Sequence, residues 1–308
     1  MKTSEAVLIA GGSGMIGTRL SERLVEAGYQ LRILTRNKKT SIPFEQAEWD
    51  PEKNFLENGA LNDIDYIINL SGTGIADKPW SEKRKKEIIE SRVKPINTLI
   101  YHLSNGDYQI KTLISASAIG IYPKNAGQVM NETSLPGSDF LSHSVLEWEN
   151  ALLKASLPES IRKVIMRFGI VLSLKGGAMH EILKPFRFGM AITLGNGRQL
   201  VSWVHIDDAC RALIHALEKA EVSGIYNVAA PGPVPFKELI DEIAKTKNRT
   251  FLKTSVPAFV LKVMMGERAG LVLDSIRVSS ARFESTGFQF RFPSVYSALK
   301  NLLHEDRL

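Results

Sequence analysis

Cysteine is nearly absent. The one thiol, Cys210, excludes an internal disulfide framework and points to a reducing compartment; set among apolar residues at helical spacing, it reads as a buried structural group rather than a nucleophile. The six histidines fall at no ligand spacing, and one cysteine cannot build a zinc site, so no metal is expected. No apolar run is long enough to span a bilayer and no cleavable leader is recognisable, which predicts a cytoplasmic protein with no membrane partner. Excess charge is scarce too: 39 Lys and Arg against 33 Asp and Glu leave +6 over 308 residues. The densest basic run, Lys83-Arg84-Lys85-Lys86, has Glu82 and Glu87 beside it and no interleaved aromatics, so it reads as a solvated helix face and no nucleic-acid partner is expected. The small surplus of cations suits an anionic small-molecule substrate instead. No repeat or low-complexity linker is visible, and a monomer and a homodimer both stay open.

Against these absences stands one dense signal. The apolar run Val7-Leu8-Ile9-Ala10 turns through Gly11-Gly12-Ser13-Gly14-Met15-Ile16-Gly17 into an amphipathic segment that closes at Gly28. In such a turn one glycine bends the chain, one lets the backbone approach a pyrophosphate, and the last lets helix pack on strand. The free N–H groups at the helix start would hold the pyrophosphate. Gln30–Thr35 completes a strand-helix-strand unit, and Arg36-Asn37-Lys38-Lys39 follows. A site selective for NAD carries an acidic residue about 20 residues past the glycines, on the ribose 2′-hydroxyl. Here that place is basic, so Arg36 or Lys38 is expected to pair a 2′-phosphate and NADP(H) is preferred over NAD(H). Ala47–Asp50 reads as a short third strand that brings Asp50 near the adenine.

Asp65–Asn69 runs into Leu70-Ser71-Gly72, and Lys111–Ser117 likewise ends in small residues. Strand ends of this kind in an open α/β sheet face the ligand. Trp80 to Leu103 reads as a helical stretch interrupted at Pro95, Phe140 to Ala155 as a helix, and Lys163–Gly169 as a further strand. Strands alternating with helices predict an α/β fold with a doubly wound parallel sheet, the Rossmann NAD(P)-binding fold. Residues 1–230 are expected to form it, with 173–202 lending a cationic, glycine-punctuated flank to the substrate side, and 234–308 a smaller C-terminal region of unassigned role. In that flank Arg198 is the candidate clamp for an anionic substrate, with Arg167 and Arg277 behind it, and Trp203 a candidate substrate contact. His205 and Asp207-Asp208 invite a metal or catalytic reading, but an aspartate immediately before a helix is an ordinary N-cap, which is the reading preferred here.

The chain resembles the extended short-chain dehydrogenase/reductases, and more closely their atypical branch described as nucleoside-diphosphate-sugar epimerases and loosely labelled cell-division-inhibitor-like. The marks are the glycine turn, Ile68-Asn69-Leu70-Ser71-Gly72, Ser115-Ala116-Ser117-Ala118-Ile119-Gly120-Ile121-Tyr122, Trp203-Val204-His205-Ile206-Asp207-Asp208, Met265-Gly266-Glu267 and Gly287-Phe288-Gln289-Phe290. The resemblance implies an NADP(H)-binding domain and an activity of the epimerase or oxidoreductase type on a nucleotide-sugar or other carbonyl or alcohol substrate. It also exposes a departure. Catalytic relatives carry Tyr-x-x-x-Lys, in which the tyrosine exchanges a proton with the substrate oxygen. Phe140 stands in the tyrosine's place and Ser144 in the lysine's. Ser117, Tyr122 and His143 are the candidate replacements, and the alternative is a non-catalytic NADPH sensor or regulatory protein.

Overall fold

The computed structural model describes residues 5–124 and 127–305. Its frame is an eight-stranded sheet of β1 (Ala6–Ala10), β2 (Gln30–Thr35), β3 (Glu45–Asp50), β4 (Phe55–Leu56), β5 (Tyr66–Asn69), β6 (Thr112–Ala118), β7 (Arg162–Phe168) and β8 (Gly224–Val228), in the spatial order 8-7-6-5-1-2-3-4. All pairings are parallel except β3 with β4. Every residue of β1 is buried, as is expected of a central parallel strand covered on both faces.

From β1 the chain moves one way along the sheet to β2, and from β5 the other way to β6. Right-handed crossovers therefore put the intervening helices on opposite faces. On one face α1 (Met15–Glu26) packs with α5 (Ile206–Glu218), which follows α4 (Gly177–Arg187) in the chain; on the other α2 (Glu82–Ser104) packs with α3 (Phe140–Leu153). The order reverses between β1 and β5, and that switch point is where a ligand sits in sheets of this kind.

Two local expectations need correcting. Pro95 does not interrupt α2, which runs unbroken through it. Proline forfeits one intrahelical hydrogen bond, but buried Ile88, Ile96, Leu99 and Leu103 bind 23 residues of helix to the core. Nor does an aspartate cap α5. The cap is His205, whose Nδ1 accepts from the Asp207 N–H at 3.0 Å, leaving Asp207 to ion-pair with Arg19 and Arg23 of α1 at 2.7 and 2.6 Å. Asp208, fully buried, accepts the N–H groups of Arg291 and Phe292, both at 2.9 Å, and so fastens the end of the chain to the sheet domain.

The smaller lobe interleaves two stretches of sequence. Met190–Leu194 pairs with Leu252–Val256, and Leu200–Val201 with Val234–Pro235. Further on, Arg277–Val278 returns to pair with Val129–Met130. Cys210 is enclosed in α5, where burial pushes its thiol up to about 12, consistent with a structural role.

Candidate functional site

The glycine turn is shaped by close approach. Gly11 has φ +82°, and a Cβ there would lie 2.7 Å from the Leu70 carbonyl carbon; at Gly17 it would lie 2.3 Å from the Gly11 oxygen. The Gly14 N–H donates to Gly11 O at 3.1 Å, which closes the turn ahead of α1. Beside it opens a cleft of about 530 Å³, lined by Gly11, Ser13, Gly14, Arg36, Asp50, Leu70, Ser71 and Gly72. Gly12, Met15, Ile16 and Gly17 shape the turn and the first turn of α1 rather than the cleft wall. Within the cleft, Ser71 carries a buried hydroxyl with no partner among the described residues. An orphan hydroxyl is costly unless something arrives to pair it. The naked turn, the free helix start and this hydroxyl fit a dinucleotide.

The basic stretch after β2 divides. Arg36 is exposed on the cleft, with no ion-pair partner among the described residues. Lys38 is not on the cleft: its ammonium pairs with Glu57 at 2.7 Å, so it is no candidate for the 2′-phosphate. Lys39 and Asn37 line the wall in its place, a neighbour swap within one loop that residue type alone does not resolve. Asp50, at the end of β3, also lines the cleft. The α2 residues Glu87, Glu90, Ser91 and Pro95 form the opposite wall and carried no local signal.

At the other end, over β6, the candidate acid–base groups are not free. Ser117 donates to Glu149 Oε1 at 2.5 Å. Arg167 holds both Glu149 oxygens at 2.7 Å and donates to the Tyr122 hydroxyl at 2.8 Å, which in turn donates to Asn227 Oδ1 at 2.7 Å. Asn227 closes the chain through Glu132, whose carboxylate takes its N–H at 2.8 Å, and through Ser279 O at 3.1 Å. Ser117, Glu149, Arg167 and Asn227 are each at most 5% exposed and Tyr122 is 1% exposed. Burial raises the Tyr122 pKa against the pull of Arg167, so the phenol stays protonated at neutral pH. Burial also works against the Arg167 charge, but the Glu149 carboxylate more than offsets it and the guanidinium is held more firmly protonated than usual. Tyr122 is therefore a structural phenol inside a saturated network, not a proton donor facing a substrate. Arg167 is likewise consumed by Glu149 and clamps no ligand.

Three more candidates change standing. His143 is exposed on α3, on another side of the helix from buried Ser142 and Ser144. Arg198 is exposed in the Asn196–Gly197 turn of the smaller lobe and is not on the cleft. Trp203 is fully buried on a strand paired with Ile170–Leu172, so no substrate reaches it. Phe140 begins α3 beside the end of β6, after the cap Asp139, whose carboxylate accepts the Ser142 N–H at 2.9 Å. Its ring packs on Trp80, centroids 4.9 Å apart.

The model of the NAD-dependent epimerase/dehydratase family matches residues 7–229. The chain belongs to that family. A domain of unknown function, DUF1731, matches residues 256–302. An epimerase family protein of Staphylococcus saprophyticus is 33% identical over 306 residues, covering 96% of this chain and 99% of its own. The mouse epimerase family protein SDR39U1 is 32% identical over 302 residues, covering 96% and 99%. Among solved structures, human SDR39U1 with NADPH superposes with a TM-score of 0.88 at 30% identity, over 97% of this chain and 99% of that one. A UDP-N-acetylglucosamine 4-epimerase from Bacillus cereus, at 19% identity and a TM-score of 0.79 over 99% and 100%, shares the fold. No helix among the described residues is long and apolar enough to cross a membrane.

Proposed function

We propose that this protein binds NADPH in the cleft between the glycine turn and Arg36 and acts as an NADP(H)-dependent oxidoreductase that works without a tyrosine acid. The observation that carries the cofactor half is the exposed Arg36, without an ion-pair partner among the described residues, on a cleft whose turn requires glycine at 11 and 17. A guanidinium there meets a 2′-phosphate with charge-assisted hydrogen bonds, and Lys39 and Asn37 lie on the same wall. The human relative solved with NADPH supports the same cofactor. Bound, the nicotinamide supplies or accepts hydride; the chain holds the dinucleotide by the α1 start, Ser71 and Arg36.

The second half rests on Phe140 and the locked network. Epimerisation at a sugar hydroxyl needs a base that removes the hydroxyl proton and returns it. Phe140 cannot, and Ser117 and Tyr122 are engaged with Glu149, Arg167 and Asn227. The geometry therefore favours hydride transfer uncoupled from a protein-borne proton over nucleotide-sugar epimerisation. The same locked network also favours a second reading, a sensor that follows NADPH without turnover.

The deciding test is titration with reduced cofactors, followed by nicotinamide fluorescence. Arg36→Ala is expected to weaken NADPH by about 1 to 3 kcal/mol while leaving NADH nearly unchanged. Equal losses for both cofactors would show that the 2′-phosphate is not read at Arg36.

A further inference from the structure

The cleft wall beyond the glycine turn holds a charge with no counter-ion. Arg92 lies half-buried on α2; its guanidinium donates to the carbonyls of Thr73 at 3.1 Å and Ile88 at 3.0 Å and lies over the Trp148 ring at 5.3 Å. No carboxylate comes within ion-pair reach of it among the described residues. The two acids on the same wall, Glu87 and Glu90, are taken by Arg84 at 2.6 Å and Lys94 at 3.2 Å. Burial, with Arg84 adding repulsion, lowers the Arg92 pKa to about 10, so the charge is present at neutral pH. A cation drawn out of water without a partner is costly, and an arriving anion offsets that cost.

The guanidinium is close to the cleft. Gly72 and Thr73 line it, and a Cβ on Gly72 would be 3.1 Å from Arg92 Cζ, so the missing side chain lets the charge come near the surface of the wall. Arg92 also draws the Thr73 carbonyl towards α2, and Arg84 the Gly74 carbonyl at 2.5 Å, which turns two negative dipole ends away from a bound anion. Next along the wall is Ser71, with its buried hydroxyl lacking a partner among the described residues. Donors and positive charge are in surplus here. An oxyanion, which only accepts, fits that surplus. The glycine turn meets the same stretch, since a Cβ on Gly11 would lie 3.0 Å from the Ser71 nitrogen. An anion seated on the free start of α1 therefore lies beside Ser71 and Gly72. We infer that Arg92 is the fixed counter-charge for the pyrophosphate of the dinucleotide, acting from behind Gly72, with Ser71 as the hydroxyl that donates to it. This rests on the dinucleotide reading above. The two arginines then divide the ligand: Arg36 separates NADPH from NADH, whereas Arg92 acts on the two phosphates that both carry.

The test separates charge from shape. NADPH and NADH are titrated by nicotinamide fluorescence, and ADP and adenosine by ligand-observed NMR; ADP carries the diphosphate and adenosine does not. Arg92→Gln removes the charge but keeps a donor for Thr73 O. It is expected to weaken NADPH, NADH and ADP by a similar factor, about tenfold, and to leave adenosine unchanged. Arg92→Lys, which keeps the charge, should restore most of that affinity. Ser71→Ala, whose hydroxyl has no protein partner to lose among the described residues, is expected to weaken ADP about threefold or more, again without touching adenosine. A wall that is merely deformed would weaken adenosine as much as ADP. That result, or native ADP affinity in a folded Arg92→Gln, would overturn the proposal. Should Arg92→Gln fail to fold, Ser71→Ala decides, and native ADP affinity there would overturn the subsite. Wild-type protein that binds neither NADPH nor ADP would remove the dinucleotide reading itself; wild-type binding of both, with Arg92→Gln indifferent, would remove only the role given to Arg92.

Discussion

The two ends of the site are built in opposite ways. At the dinucleotide end, over β1 and β2, the wall is main chain and unengaged polar side chains: a glycine turn, a buried hydroxyl without a partner among the described residues, and an exposed arginine. At the β6 end, where the family's catalytic pair would stand, the candidate polar groups are already engaged: Glu149, Arg167, Tyr122 and Asn227 hold one another in a buried chain. Unsatisfied groups await a ligand, whereas a saturated network rigidifies the core. The difference teaches that an inventory of chemically able residues is a poor guide to an active site; what matters is which of them have capacity left.

The sharpest way to break this comparison is at the turn. In Gly17→Ala the new Cβ would lie 2.3 Å from Gly11 O and 2.6 Å from Gly12 Cα, backbone atoms that cannot give way without moving the turn. NADPH binding is expected to be lost altogether, with a lowered melting temperature, and near-native NADPH affinity by fluorescence titration would contradict the claimed close approach. The next largest effect belongs to the opposite end. Glu149→Leu strands the Arg167 charge, 5% exposed, without a counter-ion and is expected to cost about 3 to 5 kcal/mol in urea unfolding. The double variant Glu149→Leu with Arg167→Met should recover much of that loss, since an apolar pair of similar volume replaces a buried ion pair at little cost. A single-variant loss below about 1 kcal/mol would mean the pair is hydrated and the network open.

How much was legible follows the same division. The glycine turn, the small-residue strand ends and the basic residue after β2 are local features, each interpretable within a few residues, and they place the sheet, its switch point and one part of the cleft wall. The network is not local: Glu149 meets Ser117 across 32 residues and Asn227 meets Tyr122 across 105. Glu149 gives no warning in the sequence, being one acid in an otherwise ordinary helix. Tyr122 was singled out for its chemistry, and Trp203 for its place in a motif, although pairing and burial decide both. Between Lys38 and Lys39 the deciding fact is Glu57, another strand away. Trp80, by contrast, was visible only as the start of a helix, and its partner Phe140 only as a missing tyrosine.

The smallest expected effect bears most directly on the choice between structure and chemistry at Tyr122. Removing its hydroxyl in Tyr122→Phe leaves Arg167 Nη1 and Asn227 Oδ1 each short of one partner in a region closed to water, while the ring keeps its place under the Arg167 guanidinium, 5.2 Å from its centroid. Leaving such groups unpaired costs about 1 to 3 kcal/mol, so the urea midpoint should fall by less than in Glu149→Leu. The NADPH dissociation constant and any NADPH-oxidising activity should stay as they are, because the phenol is buried and does not line the cleft. A variant of native stability that loses turnover would reverse this assignment: the hydroxyl would then be spending its proton on a substrate, and the β6 end would be an active site in disguise rather than part of the core.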